Sequence, residues 1–249
     1  VVNYSMVTAE AVSLYAELSG DEAAQAGLGR ALGLAGFFNL PDGSSAVVVD
    51  NRVRYDPRPF LALPPGFLRS ADGRRLLLDR LRAARANFAR TGVSDNGAQV
   101  FAFFGSVAEL AFDPRMARSG CELVAPASLP AARLDRDGWV GLLGWQLTPE
   151  SPSRFILDSQ NFLEIWHRDA GYLVGGGNSK YMPRFSTIRR TDQGRAYIPD
   201  KATGRQTAPD EAAAVFVLGP DEVKLRLTVR DGKCEFGARL VRAESGASY

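Results

Sequence analysis

The only histidine of the chain, His167, lies in the segment NFLEIWHRDAGYLVGGGNSKYMPRFSTI, next to Arg168 and upstream of Asn178, Lys180 and Tyr181. An imidazole is the one side chain whose ordinary pKa lets it take or give a proton near neutral pH. The neighbouring cations and amide suit an anionic ligand, and the competing role for His167 is a satisfied histidine at a domain contact. Polar residues also gather at Asn3-Tyr4-Ser5, and at Asp50-Asn51-Arg52 with Arg54-Tyr55-Asp56. Arg54 and Tyr55 could hold an acidic sugar through a forked guanidinium contact and a phenol; a turn held by Asp and Asn side chains explains them equally well. Asp42, Asp50 and Asp56 are the carboxylates available to a glycosidase, which needs two of them facing one cleft.

Composition removes several other chemistries. Thirty Lys plus Arg stand against 28 Asp plus Glu, and residues 1–126 and 127–249 are each close to neutral. Neither half has the positive excess that phosphate backbones select, so no nucleic-acid partner is expected. One histidine and two distant cysteines, Cys121 and Cys234, cannot form an all-His/Cys zinc site, and no metal or other cofactor is expected. Both thiols are expected to be free. GLGRALG at Gly27–Gly33 has the wrong spacing for a dinucleotide fingerprint and falls within a helical pattern. GGGNSK at Gly175–Lys180 lacks the Gly-Lys-Ser/Thr ending of a phosphate loop. Its glycines fit a bulge or a strand end.

The elements that must position these residues divide by period. Val7, Ala11, Leu14 and Leu18 suggest the apolar face of a helix over 6–18, stopped by Ser19-Gly20. Asp21 is the expected N-cap of a second helix over 21–38, whose Gly27, Gly29, Gly33 and Gly36 suggest close packing of a neighbouring helix. An irregular segment follows, with turn residues at Pro41-Asp42-Gly43 and one short strand near Ala46–Val49. Leu77, Leu81, Ala84 and Phe88 mark a third helix over 72–91, its arginines assigned to a solvated face. Val100, Phe103, Phe104 and Val107 mark a fourth over 97–111.

From about Cys121 the pattern becomes β-branched and aromatic runs cut by turns, with hairpins expected at Asp169-Ala170-Gly171 and Asp231-Gly232. Alternation places Leu163, Ile165 and His167 on one face of a strand and Phe162, Glu164 and Trp166 on the other. Both faces are bulky, so both are expected to be covered, one by a second sheet and one by helices. The order, helices first and antiparallel strands second, is α+β. No run approaches the ~20 apolar residues of a membrane span, and the opening residues show neither a basic nor an apolar leader stretch, so neither a membrane span nor a signal peptide is expected. The abrupt helical start and the end just after a strand fit a piece of a longer protein.

Two stretches, NYSMVTAEAVSLYAELSGDE with PDGSSAVVVDNRVRY downstream, and FLEIWHRDAGYLVGGGNSKYMPRFSTI, resemble the heparinase II/III-like proteins. The resemblance implies helical hairpins of a partial α/α toroid over 1–118, followed by an antiparallel β-sandwich over 119–249. It implies a polysaccharide lyase-like, carbohydrate-active protein that cleaves uronate-containing glycans by β-elimination, in a periplasmic or extracellular setting. By position Tyr4 and His167 match the family's catalytic tyrosine and sandwich histidine, as acid and base. Asn3, Asn51, Arg54, Tyr55, Arg168, Asn178 and Lys180 are the candidate substrate-binding residues, with an acidic polysaccharide or oligosaccharide as the partner. The chain departs from the pattern in having few helices and one histidine. A non-catalytic glycan-binding or assembly module of the same fold, or a glycoside hydrolase, is therefore the alternative. The expected ligand site is a cleft between the halves that brings His167 within reach of Tyr4 or the Asn51–Tyr55 segment.

Overall fold

The structure, a computed structural model, describes residues 2–46, 48, 64–91, 129–147, 161–175, 188, 190–192 and 195–242. These fall into two compact units: 2–45 with 64–91, and 46 and 48 with the described residues from 129 onward. The expected boundary near 118 and the helix expected over 97–111 lie outside the described residues. Among the described residues, three α-helices are followed by antiparallel strands, an α+β order. Among the described residues no helix is long and apolar enough to cross a membrane.

The first unit holds α1 (Val2–Ser19), α2 (Glu22–Phe37), a 3-10 turn at Pro65–Arg69 and α3 (Ala71–Thr91). Gly20 ends α1 at φ +70°, where a side chain would be strained. Asp21 caps α2 as expected, its Oδ1 accepting from the Ala23 and Ala24 amides at 2.8 and 3.1 Å. These backbone N–H bonds, first that of Ala24, together with the Tyr15 hydroxyl, hold its carboxyl below the ordinary value.

The face of α1 differs from the expected one. Ala9, Ser13 and Ala16 are buried with Val12 packed beside them, whereas Leu14 and Leu18 are 61% and 81% exposed. Close approach explains the inversion. A Cβ on Gly66 would lie 2.7 Å from Leu28 Cδ1 and 2.9 Å from Ser13 Oγ, so the 3-10 turn fits only against small α1 residues. The Ser13 hydroxyl avoids a buried loss by donating to the Ala9 carbonyl at 2.7 Å. The α2 glycines are not all packing sites either, because a Cβ on Gly29 would meet nothing and one on Gly27 only Arg30 of the same helix.

In α3, Leu76, Leu77 and Leu81 complete the core with Leu28, Leu32, Phe67 and Leu68. The solvated-face expectation fails at Arg80, which is 1% exposed and reaches Asn39 Oδ1 at 3.2 Å and Ser45 Oγ at 3.4 Å. Burial pushes its guanidinium down to about 10. The loop above it is held tightly. Asp42 Oδ1 accepts from the Ser44 amide at 2.9 Å, Asn39 and Ser45 form an isolated antiparallel bridge, and a Cβ on Gly43, at φ +79°, would lie 2.5 Å from Ala83 Cβ. Of the short strand expected near Ala46–Val49, only Ala46 and Val48 are described, and neither belongs to a strand.

The described residues of the second unit form two four-stranded antiparallel meanders and a small ribbon. The first sheet runs β1 (Ala131–Arg136), β2 (Trp139–Gly144), β3 (Leu163–His167), β4 (Gly171–Val174). The ribbon pairs β5 (Arg190–Asp192) with β6 (Arg195–Tyr197). The other sheet is β7 (Lys201–Ala208), β8 (Glu211–Leu218), β9 (Asp221–Arg230) and β10 (Lys233–Arg242), in the order β10-β9-β8-β7.

Both sheets contribute to one apolar core. Leu134, Leu143, Leu163 and Ile165 from the first meet Phe216, Leu218, Leu225, Leu227 and Val229 from the other, with Phe162 4.6 Å from Phe216 between ring centroids. Gly141 permits the approach, since a Cβ there would lie 2.9 Å from Leu227 Cδ2. The alternation read for β3 holds within the strand, Leu163–His167, but not at Phe162, which precedes the strand and enters this core instead of joining Glu164 and Trp166 on the other face. The strand's Leu163 and Ile165 enter this core, and its opposite face is buried at Glu164 and Trp166. On that opposite face of β2, a Cβ on Gly144 would meet the Val48 backbone. Arg190 and Asp221 form an ion pair at 3.4 Å with Asp221 fully buried, tying β5 to the start of β9.

Candidate functional site

Strand register builds a row of side chains at one end of the first sheet. Arg136 of β1 opposes Trp139 of β2, which opposes His167 of β3, which opposes Gly171 of β4. Opposed residues share a face. The row therefore continues the core-facing positions Leu134, Gly141 and Ile165 outward to the rim, where His167 and Trp139 are half-buried and Arg136 is exposed.

Three tight turns meet at this rim. Asp137-Gly138 joins β1 to β2 with both residues at positive φ, and Asp231-Gly232 joins β9 to β10 in the same way, the geometry of a two-residue hairpin that follows strand twist. Arg168, Asp169 and Ala170 join β3 to β4, with Gly171 at φ +72°. Hydrogen bonds lock the turns to one another. The Arg168 amide donates to the Gly138 carbonyl at 2.8 Å, the Gly232 amide to Asp137 Oδ2 at 3.2 Å, and the Trp139 indole N–H to the Gly232 carbonyl at 3.0 Å. The Arg168 side chain passes over Gly138, where a Cβ would lie 3.6 Å from its Nε.

The two rings of the row are in contact, their centroids 4.3 Å apart at 49°. The Asp169 amide donates to His167 Nδ1 at 3.3 Å. An N–H can be accepted only by an unprotonated ring nitrogen, so this contact favours the neutral tautomer with its proton on Nε2. That leaves His167 a hydrogen-bond donor on its free side. Basic side chains outnumber acids across the three turns and the residues flanking them: Arg136, Arg168, Arg230 and Lys233 against Asp137, Asp169 and Asp231, with Asp137 already accepting from Gly232. Among the described residues no cluster of three or more His, Cys, Asp or Glu could hold a metal ion.

Of the residues read from the sequence, His167 and Arg168 are brought to this rim. Asn3 and Tyr4 lie on the backbone of α1 in the first unit. Asn51, Arg54, Tyr55, Asn178 and Lys180 lie outside the described residues, as do Asp50, Asp56 and Cys121. The residues of this rim that are described all belong to the second unit. Asp42, a glycosidase candidate, has its Oδ1 engaged by the Ser44 amide and hydroxyl within its own turn. Sequence reasoning missed Arg136 and Trp139, although the Asp-Gly of LDRDGWVG carries the same hairpin signal as the Asp-Gly at 231–232.

No protein-family model, no curated protein and no solved structure matches the chain. The heparinase II/III-like resemblance rests on the quoted stretches alone.

Proposed function

We propose that the second unit is a β-sandwich module that binds an acidic glycan without cleaving it, at the rim formed by Arg136, Trp139, His167 and Arg168. The glycan class comes from the resemblance. The preference for binding over β-elimination comes from one observation, the Asp169 N–H donated to His167 Nδ1. β-Elimination needs a base to remove the proton beside the uronate carboxylate. With Nδ1 engaged and the proton on Nε2, His167 presents a donor where a base would have to present a lone pair. A donor suits a sugar hydroxyl or carboxylate. The guanidinium of Arg136 or Arg168 offers a forked contact to the same carboxylate, and the Trp139 ring offers an apolar surface to the C–H face of a sugar.

Calorimetric titration with uronate oligosaccharides, run beside an absorbance assay for unsaturated product, tests this. Saturable binding that weakens about tenfold or more in His167→Ala and Arg168→Ala, with no product, is the expected result. Product formation lost in His167→Ala would instead support a polysaccharide lyase with His167 as the base and Tyr4 as the acid.

A further inference from the structure

Among the described elements of the second unit, β10 is the least covered. Among the described residues β10 is hydrogen-bonded to β9 alone, and none of them pairs with the other edge of this ten-residue strand. Its register against β9 places Cys234, Phe236, Ala238 and Leu240 opposite Val229, Leu227, Leu225 and Val223, and so on the core-facing side of the sheet. Cys234 packs against the core, but further along the strand the first sheet leaves Phe236 and Leu240 42% and 41% exposed beside the fully buried Leu227. A free edge with an apolar face is a template for another strand, and soluble proteins ordinarily blunt it with charge. Lys233, Glu235, Arg239 and Arg242 are the charges available, and their order decides between blunting and pairing.

A second copy of β10 related by a two-fold axis perpendicular to the sheet keeps the apolar faces together, so each residue can oppose only one of the same parity. Centring the pair on Glu235 or on Arg239 sets like charges against each other. Centring on Phe236 opposes Lys233 to Arg239, and centring on Ala238 opposes Glu235 to Val241. Centring on Gly237 opposes Glu235 to Arg239, and the symmetry makes that pair twice. In the same register Phe236 meets Ala238 and Cys234 meets Leu240, large beside small on the apolar face. Gly237 faces itself across the axis, where a Cβ would in any case meet nothing within its own chain. Arg239 also has reason to accept an acid from the free side, because its neighbour on β9 is Lys224, a like charge directly opposite.

We propose that the chain forms a two-fold dimer through antiparallel pairing of β10 with β10, in the register centred on Gly237. The occupant of the free edge is a second copy of this chain, selected by the paired Glu235 and Arg239. The β7–β10 sheets of the two copies then form one continuous eight-stranded sheet.

Sedimentation of the chain across a dilution series is the test, combined with the variants Glu235→Arg and Arg239→Glu. Both side chains are exposed, and circular dichroism of each variant monitors the fold. The wild-type chain is expected to dimerise. Each variant alone places like charges opposite each other and is expected to need at least about tenfold higher concentration to associate. An equimolar mixture restores two opposite-charge pairs and is expected to recover a heterodimer. A chain that stays monomeric throughout, variants that dimerise as the wild type does, or a mixture that fails to recover association would each overturn the proposal.

Discussion

The Trp139 indole makes two contacts that belong to different sheets: its ring lies 4.3 Å from the His167 imidazole on β3, and its N–H donates at 3.0 Å to the Gly232 carbonyl in the β9–β10 turn. A single side chain thus ties the candidate site to the turn of the opposite sheet.

Replacing Trp139 by Phe keeps an aromatic neighbour for His167 and removes the N–H together with the five-membered ring of the indole. The Gly232 carbonyl is at an exposed turn and recovers water, so the lost bond costs about 0.5–1 kcal/mol and the smaller ring about 1 kcal/mol more. Trp139→Ala also removes the ring and is expected to cost about 3 kcal/mol. Urea unfolding of the two variants checks the separation. Equal losses would mean that the hydrogen bond, and not the ring, is what the indole contributes.

Two glycines at positive φ make a matched pair. Gly232 has open space where a Cβ would go, so Gly232→Ala carries only backbone strain, about 1 kcal/mol. Gly175, at φ +96°, would place a Cβ into the Glu164 side chain and 2.8 Å from the Leu163 carbonyl oxygen. Gly175→Ala is expected to cost about 3 kcal/mol or more. Thermal unfolding of both variants should show Gly175→Ala clearly lower, and a reversed order would contradict the packing of β4 against β3.

Arg80 is expected to be structural. Arg80→Ala removes the contacts to Asn39 and Ser45 and leaves a cavity under the 39–45 loop, at a cost of about 3 kcal/mol. Denaturant unfolding measures it. A loss within experimental error would return Arg80 to the solvated face that its sequence spacing suggests.

Cys234 is free and its thiol is pushed up to about 11, first by burial and then by the neighbouring Glu235. At pH 8 only about 0.1% is thiolate, so alkylation is slow and rises roughly tenfold per pH unit until it levels near 11. The linkage sign follows from the raised folded value. The native state holds this proton more tightly than the unfolded chain does, so the contribution to stability is complete below about 9 and is lost as pH rises through about 11. Peptide mapping after iodoacetamide treatment across this range checks the profile, and rapid modification of Cys234 at pH 8 would contradict it.

Elements whose signal is local were legible in the sequence. Asp21 caps α2 and Gly20 ends α1 because both effects act within one turn of backbone. The Asp231-Gly232 hairpin follows from two residues that tolerate positive φ. Faces set by distant partners were not legible. The apolar spacing of Leu14 and Leu18 pointed to one side of α1, yet the close approach of Gly66 selects the side bearing Ala9, Ser13 and Ala16. Arg80 misled in the same way, since nothing in α3 itself reveals the loop that closes over it. For the site, His167 stood out as the only histidine, but its hydrogen-bonding state depends on an amide in the following turn, and its ring partner is supplied by another strand.

Because the chain has one histidine, its imidazole nitrogen signals in a nuclear magnetic resonance spectrum have a single source. Their titration with a uronate oligosaccharide, above the pH where the ring is charged, is the most direct test of acidic-glycan binding at the rim. The expected result is a ring protonated at Nε2 before ligand is added, a saturable shift of the Nε2 signal on addition, and no unsaturated product in the same tube. A ring protonated at Nδ1, signals indifferent to the ligand, or the appearance of product would contradict it.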